Sequence, residues 1–352
     1  MITRKKTSQI FVGKVAVGGN SPVSIQSMTN TPTTDIVATI KQIQELESAG
    51  CEIVRCAIPD TESVLALYKI LPEIHIPLIA DIHFDYKLAL GAIKAGVDGL
   101  RINPGNIGSK DKVQEVVAAA RDKKIPIRIG VNAGSLSKKT IMKYGVTPQA
   151  IVESALVHVS ILENLGYYEM KISVKSSDVV TMLESYRMLS KKVVYPLHLG
   201  ITEAGTRFSS TVKSSLGIGA LLAEGIGDTI RVSVTGNPID EISIAKEIQK
   251  SLGLRKGLQI ISCPTCGRTS IDLITLTEQV EKALLPYSDY DIKVAVMGCV
   301  VNGPGEAREA DFGIAGGNGE GLIFKKGEII GKVPEKMLLT ELIKLIENYL
   351  PQ

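Results

Sequence analysis

Short β-rich apolar runs alternate with amphipathic segments of helical spacing along roughly the first 250 residues of the chain. The predicted strands are 22–28, 52–58, 77–83, 99–103, 125–131, 169–175, 195–202 and 228–234. The predicted helices are 35–49, 61–71, 86–95, 110–122, 148–165, 178–190, 209–223 and 239–251. Eight such units in about 250 residues predict an α/β fold of the (β/α)8 TIM barrel type. A doubly wound open sheet shares the alternation and is the alternative.

Capping signals support these boundaries. N-terminal capping residues stand at the start of four of the predicted helices: Asp35, Asp60, Thr147 and Asp178. Glycines stand where three of the helices should end: Gly50, Gly96 and Gly166.

The alternation changes after residue 251. We expect a barrel over 1–251, a linker over 252–257 and a small α/β domain over 258–352. The predicted elements of the small domain are a strand at 258–262, a helix at 272–284, a strand at 291–297, a hairpin of 322–324 and 328–333, and a helix at 335–349. The glycine-rich run 316–321 is interpreted as a turn, because no Lys-Ser/Thr pair follows it.

Composition narrows the function classes. A net charge of +3 in 352 residues is too small to indicate a nucleic-acid partner. No apolar segment follows the basic start, and no apolar run approaches the roughly 20 residues of a membrane span. Five cysteines without a disulfide-like pattern favour a reducing compartment. We therefore expect a soluble cytoplasmic protein.

Three cysteines form the clearest candidate metal site. Cys263 and Cys266 make a CxxC turn, and Cys299 lies in a distant glycine-rich segment. No histidine follows residue 198 and no fourth cysteine accompanies the three, so a closed Cys/His zinc site is incomplete. An iron–sulfur cluster with one open position is the favoured hypothesis, and zinc with a carboxylate ligand or redox or structural thiols are the alternatives. Cys51 and Cys56 lie in an apolar run and are interpreted as buried thiols.

Polar side chains cluster at the ends of the predicted strands, where TIM barrels carry their active sites. The candidate substrate-binding residues are Arg55, Asp81, His83, Arg101, Asn103, Arg128, Asn132, Lys175, Arg231 and Ser233. So many cations at one barrel mouth predict a phosphate or diphosphate ligand, and structural ion pairs are the alternative. Glu203 is either an acid–base group or the partner of Arg231. Lys175 could instead form a Schiff base, as in an aldolase, but such an enzyme would not use the three cysteines.

Five motifs resemble the family of 4-hydroxy-3-methylbut-2-enyl diphosphate synthases, which act in the methylerythritol phosphate route to isoprenoids. They are SMTNTPTTD (27–35), ISVKSSD (172–178), PLHLGITEAG (196–205), CPTC (263–266) and GCVVNGPGE (298–306). They run nearly from end to end of the chain, and the last three are very specific. The chain resembles the short bacterial form, which lacks an inserted middle domain.

The resemblance implies a TIM barrel joined to a [4Fe–4S] domain. It implies that Cys263, Cys266 and Cys299 hold three irons and that Glu306 is the resting ligand of the fourth. It also implies that Glu203 lies near the reacting carbons and that six strand-end residues bind the diphosphate and neighbouring groups of the substrate: Arg55, His83, Arg101, Arg128, Lys175 and Ser233. The implied reaction opens 2-C-methyl-D-erythritol 2,4-cyclodiphosphate and removes water with two electrons. Ferredoxin or flavodoxin would supply those electrons.

Two other functions remain alternatives. Segment 27–35 also resembles pterin-binding barrels, which makes a pterin-dependent methyltransferase the next enzyme hypothesis. An electron carrier or cluster scaffold would need the cysteines but not the polar strand ends.

Chain geometry adds an expectation about assembly. Helix 239–251 runs away from the mouth for about 20 Å. Linker 252–257 reaches at most about 20 Å, so the small domain cannot fold back over its own barrel mouth. We therefore expect a homodimer in which each small domain covers the partner's barrel, and the family resemblance points the same way.

Overall fold

The computed structural model describes residues 2–103, 105–299 and 307–350, and the chain divides into two compact units after Leu254. The first unit confirms the predicted TIM barrel. Its strands are β3 (Ser24–Met28), β4 (Ile53–Ala57), β5 (Leu78–Asp81), β6 (Gly99–Ile102), β7 (Ile127–Asn132), β8 (Met170–Lys175), β9 (His198–Leu199) and β10 (Thr229–Ile230). All are parallel, in the order β8-β7-β6-β5-β4-β3-β10-β9, and a bridge between Ile172 and Leu197 closes the ring.

Helices surround the barrel. They are α1 (Ile36–Ser48), α2 (Thr61–Ile70), α3 (Tyr86–Ala95), α4 (Lys110–Lys123), α5 (Lys138–Tyr144), α6 (Pro148–Asn164), α7 (Val179–Ser190), α8 (Arg207–Ser214), α9 (Ala220–Ala223) and α10 (Pro238–Ser251). The predicted capping side chains do accept from backbone N–H groups, as Asp60 does from Ser63 at 2.7 Å. None of the helices in the described part of the chain has the length and apolar character needed to cross a bilayer.

An N-terminal hairpin covers the lower end of the barrel. Its strands β1 (Ile10–Val12) and β2 (Val15–Val17) pack Ile10, Val12 and Val17 against Ile53 and Ile79. Ile53 is the first residue of β4 and Ile79 the second of β5, so the hairpin closes the amino-terminal face of the barrel. Sequence periodicity missed it because three-residue strands are too short to show a pattern.

Two barrel strands are much shorter than predicted. Within the runs 195–202 and 228–234, regular strand is confined to the two-residue strands β9 and β10. Just beyond β10, the Arg231 N–H still donates to the Leu199 oxygen at 3.0 Å, and the Arg231 side chain pairs with Glu241 of α10. The predicted helix 209–223 is also interrupted, by a π-helical turn at Ser215–Gly219 between α8 and α9.

The second unit is a five-stranded sheet with two helices among its described residues. Its elements are β11 (Gln259–Ser262), α11 (Leu273–Ala283), β12 (Lys293–Met297), β13 (Phe312–Ala315), β14 (Glu320–Lys325), β15 (Glu328–Pro334) and α12 (Leu338–Glu347). β11, β12 and β13 are parallel neighbours, while β14 and β15 form the predicted hairpin. Strand β13 was not predicted because Gly313 interrupts its apolar pattern. A Cβ at Gly313 would lie 2.2 Å from the Phe324 ring, so only glycine fits this packing.

Candidate active site

A cavity of about 260 Å³ opens at the carboxyl ends of the barrel strands. It is lined by Arg55, Asp81, His83, Arg101, Arg128, Asn132, Ser173, Lys175, Thr202, Arg231 and Ser233. Two of these residues, Ser173 and Thr202, were not predicted. Ser173 could have been found, because it precedes Lys175 by two residues on β8 and so faces the same side. Thr202 lies beyond the two-residue strand β9 and gave no such signal.

Two predicted site residues do not line this cavity. The side chain of Asn103 is buried, and its Oδ1 accepts a hydrogen bond from the Gly105 N–H at 3.1 Å. Glu203 is exposed next to Thr202, and its backbone has a φ of 55°. A left-handed conformation is uncommon for a residue other than glycine, and such strain is found preferentially at functional sites.

Asp81 balances two of the arginines. Its carboxylate lies 3.4 Å from Nε of Arg55 and 3.0 Å from Nη1 of Arg101. Burial raises the pKa of Asp81, but Arg55, Arg101 and Arg128 outweigh burial and leave the pKa below its ordinary value. Asp81 is therefore an anion that fixes two guanidinium groups at the cavity wall.

A second carboxylate, Glu241 of α10, holds Arg231. Its oxygens lie 3.0 Å from Nη2 and 3.2 Å from Nε of Arg231, and Ser27 Oγ donates to the same carboxylate at 2.7 Å. Sequence analysis missed Glu241 and offered Glu203 as one possible partner of Arg231. An acidic residue in a first helical turn is common on dipole grounds alone, so its position carried no signal.

Arg55 and Arg231 share a neutral neighbour. The Met28 sulfur lies 2.9 Å from Nη2 of Arg55 and 3.8 Å from Nη1 of Arg231. A thioether is a weak acceptor that carries no charge. Met28 therefore helps position both guanidinium groups without neutralising either.

Arg128 and Lys175 are buried in the cavity wall, and each is less than a tenth exposed. Nε and Nη1 of Arg128 have no hydrogen-bond partner among the described residues, and neither does Nε of Arg101. Burial and the neighbouring arginines lower the pKa values of Arg128 and Lys175 well below their ordinary range. Buried donors without partners favour an anionic ligand, because its oxygens would accept from them.

Two glycines make room for these side chains. A Cβ at Gly130 would lie 3.0 Å from Nε of Arg101. A Cβ at Gly200 would lie 2.6 Å from Nζ of Lys175 and 2.7 Å from the backbone oxygen of Arg231. The cationic head groups can converge only because these strand positions lack side chains.

In the second unit, the cysteines lie at the carboxyl ends of two adjacent parallel strands. Cys263 follows β11, and Cys299 comes two residues after β12. The Gly298 N–H donates to the Cys263 sulfur at 3.2 Å. The turn after Cys266 is tied to the same place, since the Ser270 N–H donates to the Gly298 oxygen at 3.2 Å. Distant parts of the sequence therefore meet at one sheet edge.

The chemistry of these thiols suits a metal or an iron–sulfur cluster. All five cysteines are free, and the three candidate ligands are partly or fully exposed, whereas Cys51 and Cys56 are buried as expected. The Arg268 backbone N–H, helped by Thr269 and the Arg268 charge, lowers the pKa of the Cys266 thiol. A lowered pKa favours the thiolate, which is the ligand form. Within the described ranges no three His, Cys, Asp or Glu side chains are already arranged around a metal position. Glu306, the predicted fourth ligand, lies outside the described residues.

Two family models match the chain. The model described as the GcpE TIM-barrel domain covers residues 7–246, and that of the GcpE protein C-terminal domain covers 259–348. Together they include both compact units.

Curated proteins match over nearly the full length. A protein of Clostridium perfringens is 62% identical over 349 residues, which are 99% of this chain and 100% of that protein. One of Geobacter sulfurreducens is 60% identical over 351 residues, 99% of each chain. Both are named 4-hydroxy-3-methylbut-2-en-1-yl diphosphate synthase (flavodoxin).

Solved structures support the barrel fold alone. A Yersinia pestis dihydropteroate synthase bound to a pterine-sulfa conjugate has a TM-score of 0.51 at 10% identity, covering 70% of this chain and 100% of that one. The 7,8-dihydropteroate synthase of Vibrio fischeri has a TM-score of 0.50 at 12% identity, covering 70% and 98%. Such low identities carry no statement about the ligand.

The approach of Lys175 to Gly200 gives a testable prediction. We expect Gly200→Ala to displace the Lys175 ammonium and to weaken pyrophosphate binding roughly tenfold, since a charge-assisted hydrogen bond is worth about 1.5–3 kcal/mol. Titration calorimetry measures the affinity, with the melting temperature recorded to confirm folding. Gly134→Ala is the control, because a Cβ at Gly134 meets nothing within 4 Å. Equal pyrophosphate affinity in the two folded variants would contradict this account.

Proposed function

The chain belongs to the family of 4-hydroxy-3-methylbut-2-en-1-yl diphosphate synthases, and we propose that its polar barrel mouth is where the cyclic diphosphate substrate is opened. The overall reaction is the reductive ring opening and dehydration of 2-C-methyl-D-erythritol 2,4-cyclodiphosphate. The pterin-dependent methyltransferase and the electron carrier are thereby set aside. The observation that carries the proposed site is the excess of cations in the cavity. Among the described residues, five cationic side chains face only two carboxylates, Asp81 and Glu241.

The arginines would hold the diphosphate. Arg55, Arg101 and Arg128 present guanidinium N–H groups that match phosphate oxygens, and Lys175 adds a point charge from β8. Ring opening breaks a carbon–oxygen bond and leaves the released phosphate oxygen with negative charge. The same cations stabilise this charge as it develops, which lowers the barrier to cleavage.

Polar neutral groups would orient the rest of the substrate. Asn132, Ser233, Thr202 and Ser173 line the cavity between the charged groups and can bind hydroxyl oxygens. Asn103 would act behind this layer, where it is bonded to the Gly105 backbone. Glu203 follows Thr202 directly, and we propose that it protonates the hydroxyl that leaves as water.

The second unit would hold the redox group. When bound by Cys263, Cys266 and Cys299, with Glu306 as the resting fourth ligand, a [4Fe–4S] cluster supplies single electrons and a Lewis-acidic iron. The lowered pKa of Cys266 and the hydrogen bond from the Gly298 N–H to the Cys263 sulfur support this ligand set. We propose flavodoxin as the electron donor, since the curated relatives carry it in their names. Five free thiols support a reducing, cytoplasmic location.

We also propose that the enzyme works as a homodimer with shared active sites. Seven residues, 252–258, separate the end of α10 from the start of β11 and span at most about 25 Å. Helix α10 alone carries the chain about 21 Å away from the mouth over its 14 residues. Even a fully extended linker would do little more than span the length of α10. A partner chain supplies the cluster unit without this restriction.

The cluster is tested by metal analysis. Protein purified without oxygen should carry about four irons and four sulfides per chain. Cys266→Ala should lose most of the iron, whereas Cys51→Ala, which changes a buried thiol of the barrel, should retain it. Glu306→Ala should keep most of the iron but change the cluster spectrum. Stoichiometric zinc in place of iron would refute the assignment.

The substrate site is tested by kinetics. Arg55→Ala, Arg101→Ala and Arg128→Ala should each lower kcat/KM about tenfold or more, since one charged phosphate contact contributes about 1.5–3 kcal/mol. The cluster spectrum should not change. Arg187→Ala is the control, because Arg187 pairs with Glu224 on the outer wall. Normal kinetics in all three arginine variants would make these residues structural.

Glu203→Gln should depress kcat more than KM, because Glu203 is the proposed proton donor.

Shared sites are tested by mixing subunits. Cys299→Ser chains lack a cluster ligand and Glu203→Gln chains lack the proton donor, so each should be nearly inactive alone. After subunit exchange, half of the mixed sites would join an intact barrel to an intact cluster unit, and part of the activity should return. No recovery despite demonstrated exchange would mean that each site is built within one chain.

A further inference from the structure

The barrel interior beneath the cavity is polar, although TIM barrels usually fill this layer with Val, Ile and Leu. Gln26 on β3, Lys171 on β8, His198 on β9 and Thr229 on β10 are each at most 1% exposed. They lie on neighbouring strands, since β3, β10 and β9 are adjacent and β9 bridges to β8. The proposed reaction uses none of them. Of these four side chains, Lys171 is the one that ordinarily carries a charge at neutral pH.

Lys171 points into the barrel. Side chains alternate along a strand, and Ser173 and Lys175, two and four residues further along β8, both line the cavity. Its partner in the strand register is Arg128 of β7, which lines the cavity too. Lys171 therefore lies about 7 Å below Ser173 along the strand, level with Arg128 in the register.

No described group neutralises Lys171. Its Nζ has no hydrogen-bond partner among the described residues, and the same holds for both ring nitrogens of His198 and both amide atoms of Gln26. The charged and titratable groups around Lys171 are Arg128 from β7, Arg55 from β4, Lys175 from its own strand and His198 from β9. Asp81 and Glu241 are already paired with the arginines of the cavity.

An unpaired ammonium in such a place is costly, so the amine gives up its proton more readily than usual. Burial, followed by Arg128 and Arg55, lowers the pKa of Lys171 to about 7. Burial and the surrounding cations also lower the pKa of His198 well below its ordinary value, which leaves a neutral ring. In the free barrel near neutral pH, Lys171 is thus protonated only part of the time.

A bound diphosphate changes this balance. It brings negative charge to Arg128, directly beside Lys171 in the register, and opposite charge nearby favours the protonated amine. We propose that Lys171 is a reserve cation of the substrate site, a buried amine that takes up a proton from solvent when the diphosphate binds. The proton adds to the amine nitrogen and no other bond changes. This inference rests on the proposed function, because it needs a diphosphate at the barrel mouth.

The consequence is a proton-linked substrate affinity. In the ligand-free barrel the Lys171 amine is largely unprotonated above about pH 7, whereas in the diphosphate complex it is protonated. Binding therefore tightens as the pH falls toward about 7 and levels off below it. Lys175 contributes in the same direction, so only a comparison of variants isolates Lys171.

The test is titration calorimetry with the cyclic diphosphate at about pH 8, in two buffers of different ionisation heat. This ligand does not titrate there, because each phosphorus carries a single strongly acidic oxygen. The wild type should take up more protons than Lys171→Met, by up to one per site. Lys41→Met, at a lysine whose side chain is 75% exposed on the outer helix α1, should match the wild type. Lys171→Gln replaces Lys171→Met if the latter does not fold.

Thermal unfolding without substrate gives a second readout. The unfolded chain holds the Lys171 proton up to a higher pH than the folded barrel does, so the wild type loses stability as the pH falls from about 10 to about 7. As the pH falls over that interval, the melting temperature of Lys171→Met should therefore rise relative to that of the wild type. Below about pH 7 the difference between the two melting temperatures should stay constant.

The outcomes separate the inference from the proposed function. Wild-type protein that binds no cyclic diphosphate would overturn the proposed function and this inference with it. Binding with equal proton uptake in the wild type and the Lys171 variant would overturn the inference alone. The inference alone would also be overturned if the wild type took up no protons on binding, or if the stability difference between wild type and variant did not depend on pH.

Discussion

Burial of several cations inside one barrel, with two carboxylates to balance them, is the constraint on which the rest of the structure depends. Asp81 bridges Arg55 and Arg101, and Glu241 holds Arg231, but Arg128 keeps buried donors without partners among the described residues. Such an arrangement destabilises the free barrel, because the buried like charges repel one another, and it favours an anionic ligand that compensates them. The closed ladder of eight parallel strands holds these groups in place despite their repulsion.

The scaffold directs this charge toward one opening. The hairpin of β1 and β2 closes the amino-terminal face with aliphatic side chains, so the polar interior meets solvent at the carboxyl ends of the strands. Gly130 and Gly200 leave space for the head groups of Arg101 and Lys175. A cleft lined by one sign of charge also attracts its ligand over a distance, which speeds association at low ionic strength.

The second unit also brings distant residues together at the ends of parallel strands. Cys263 and Cys299 are far apart in the sequence, yet β11 and β12 are parallel neighbours and end at one edge. Backbone N–H groups near that edge point at sulfur, as the Gly298 N–H does toward Cys263. In both units, parallel strands bring residues from separate segments to a common edge, and loops after the strands carry the reactive groups.

The sequence by itself determined the barrel, its helix caps and the strand-end residues, because alternation, capping and the two-residue strand period are local properties. It also predicted that Cys51 and Cys56 are buried, since their apolar context is visible in the chain. Tertiary structure decided which groups meet. Glu241, Met28 and Thr202 carried no local signal, yet the first two contact the arginines of the site and the third lines the cavity. Burial, together with arginines from two other strands, lowers the pKa of Lys171. Charge interactions act through space, and closure of the ring sets those distances.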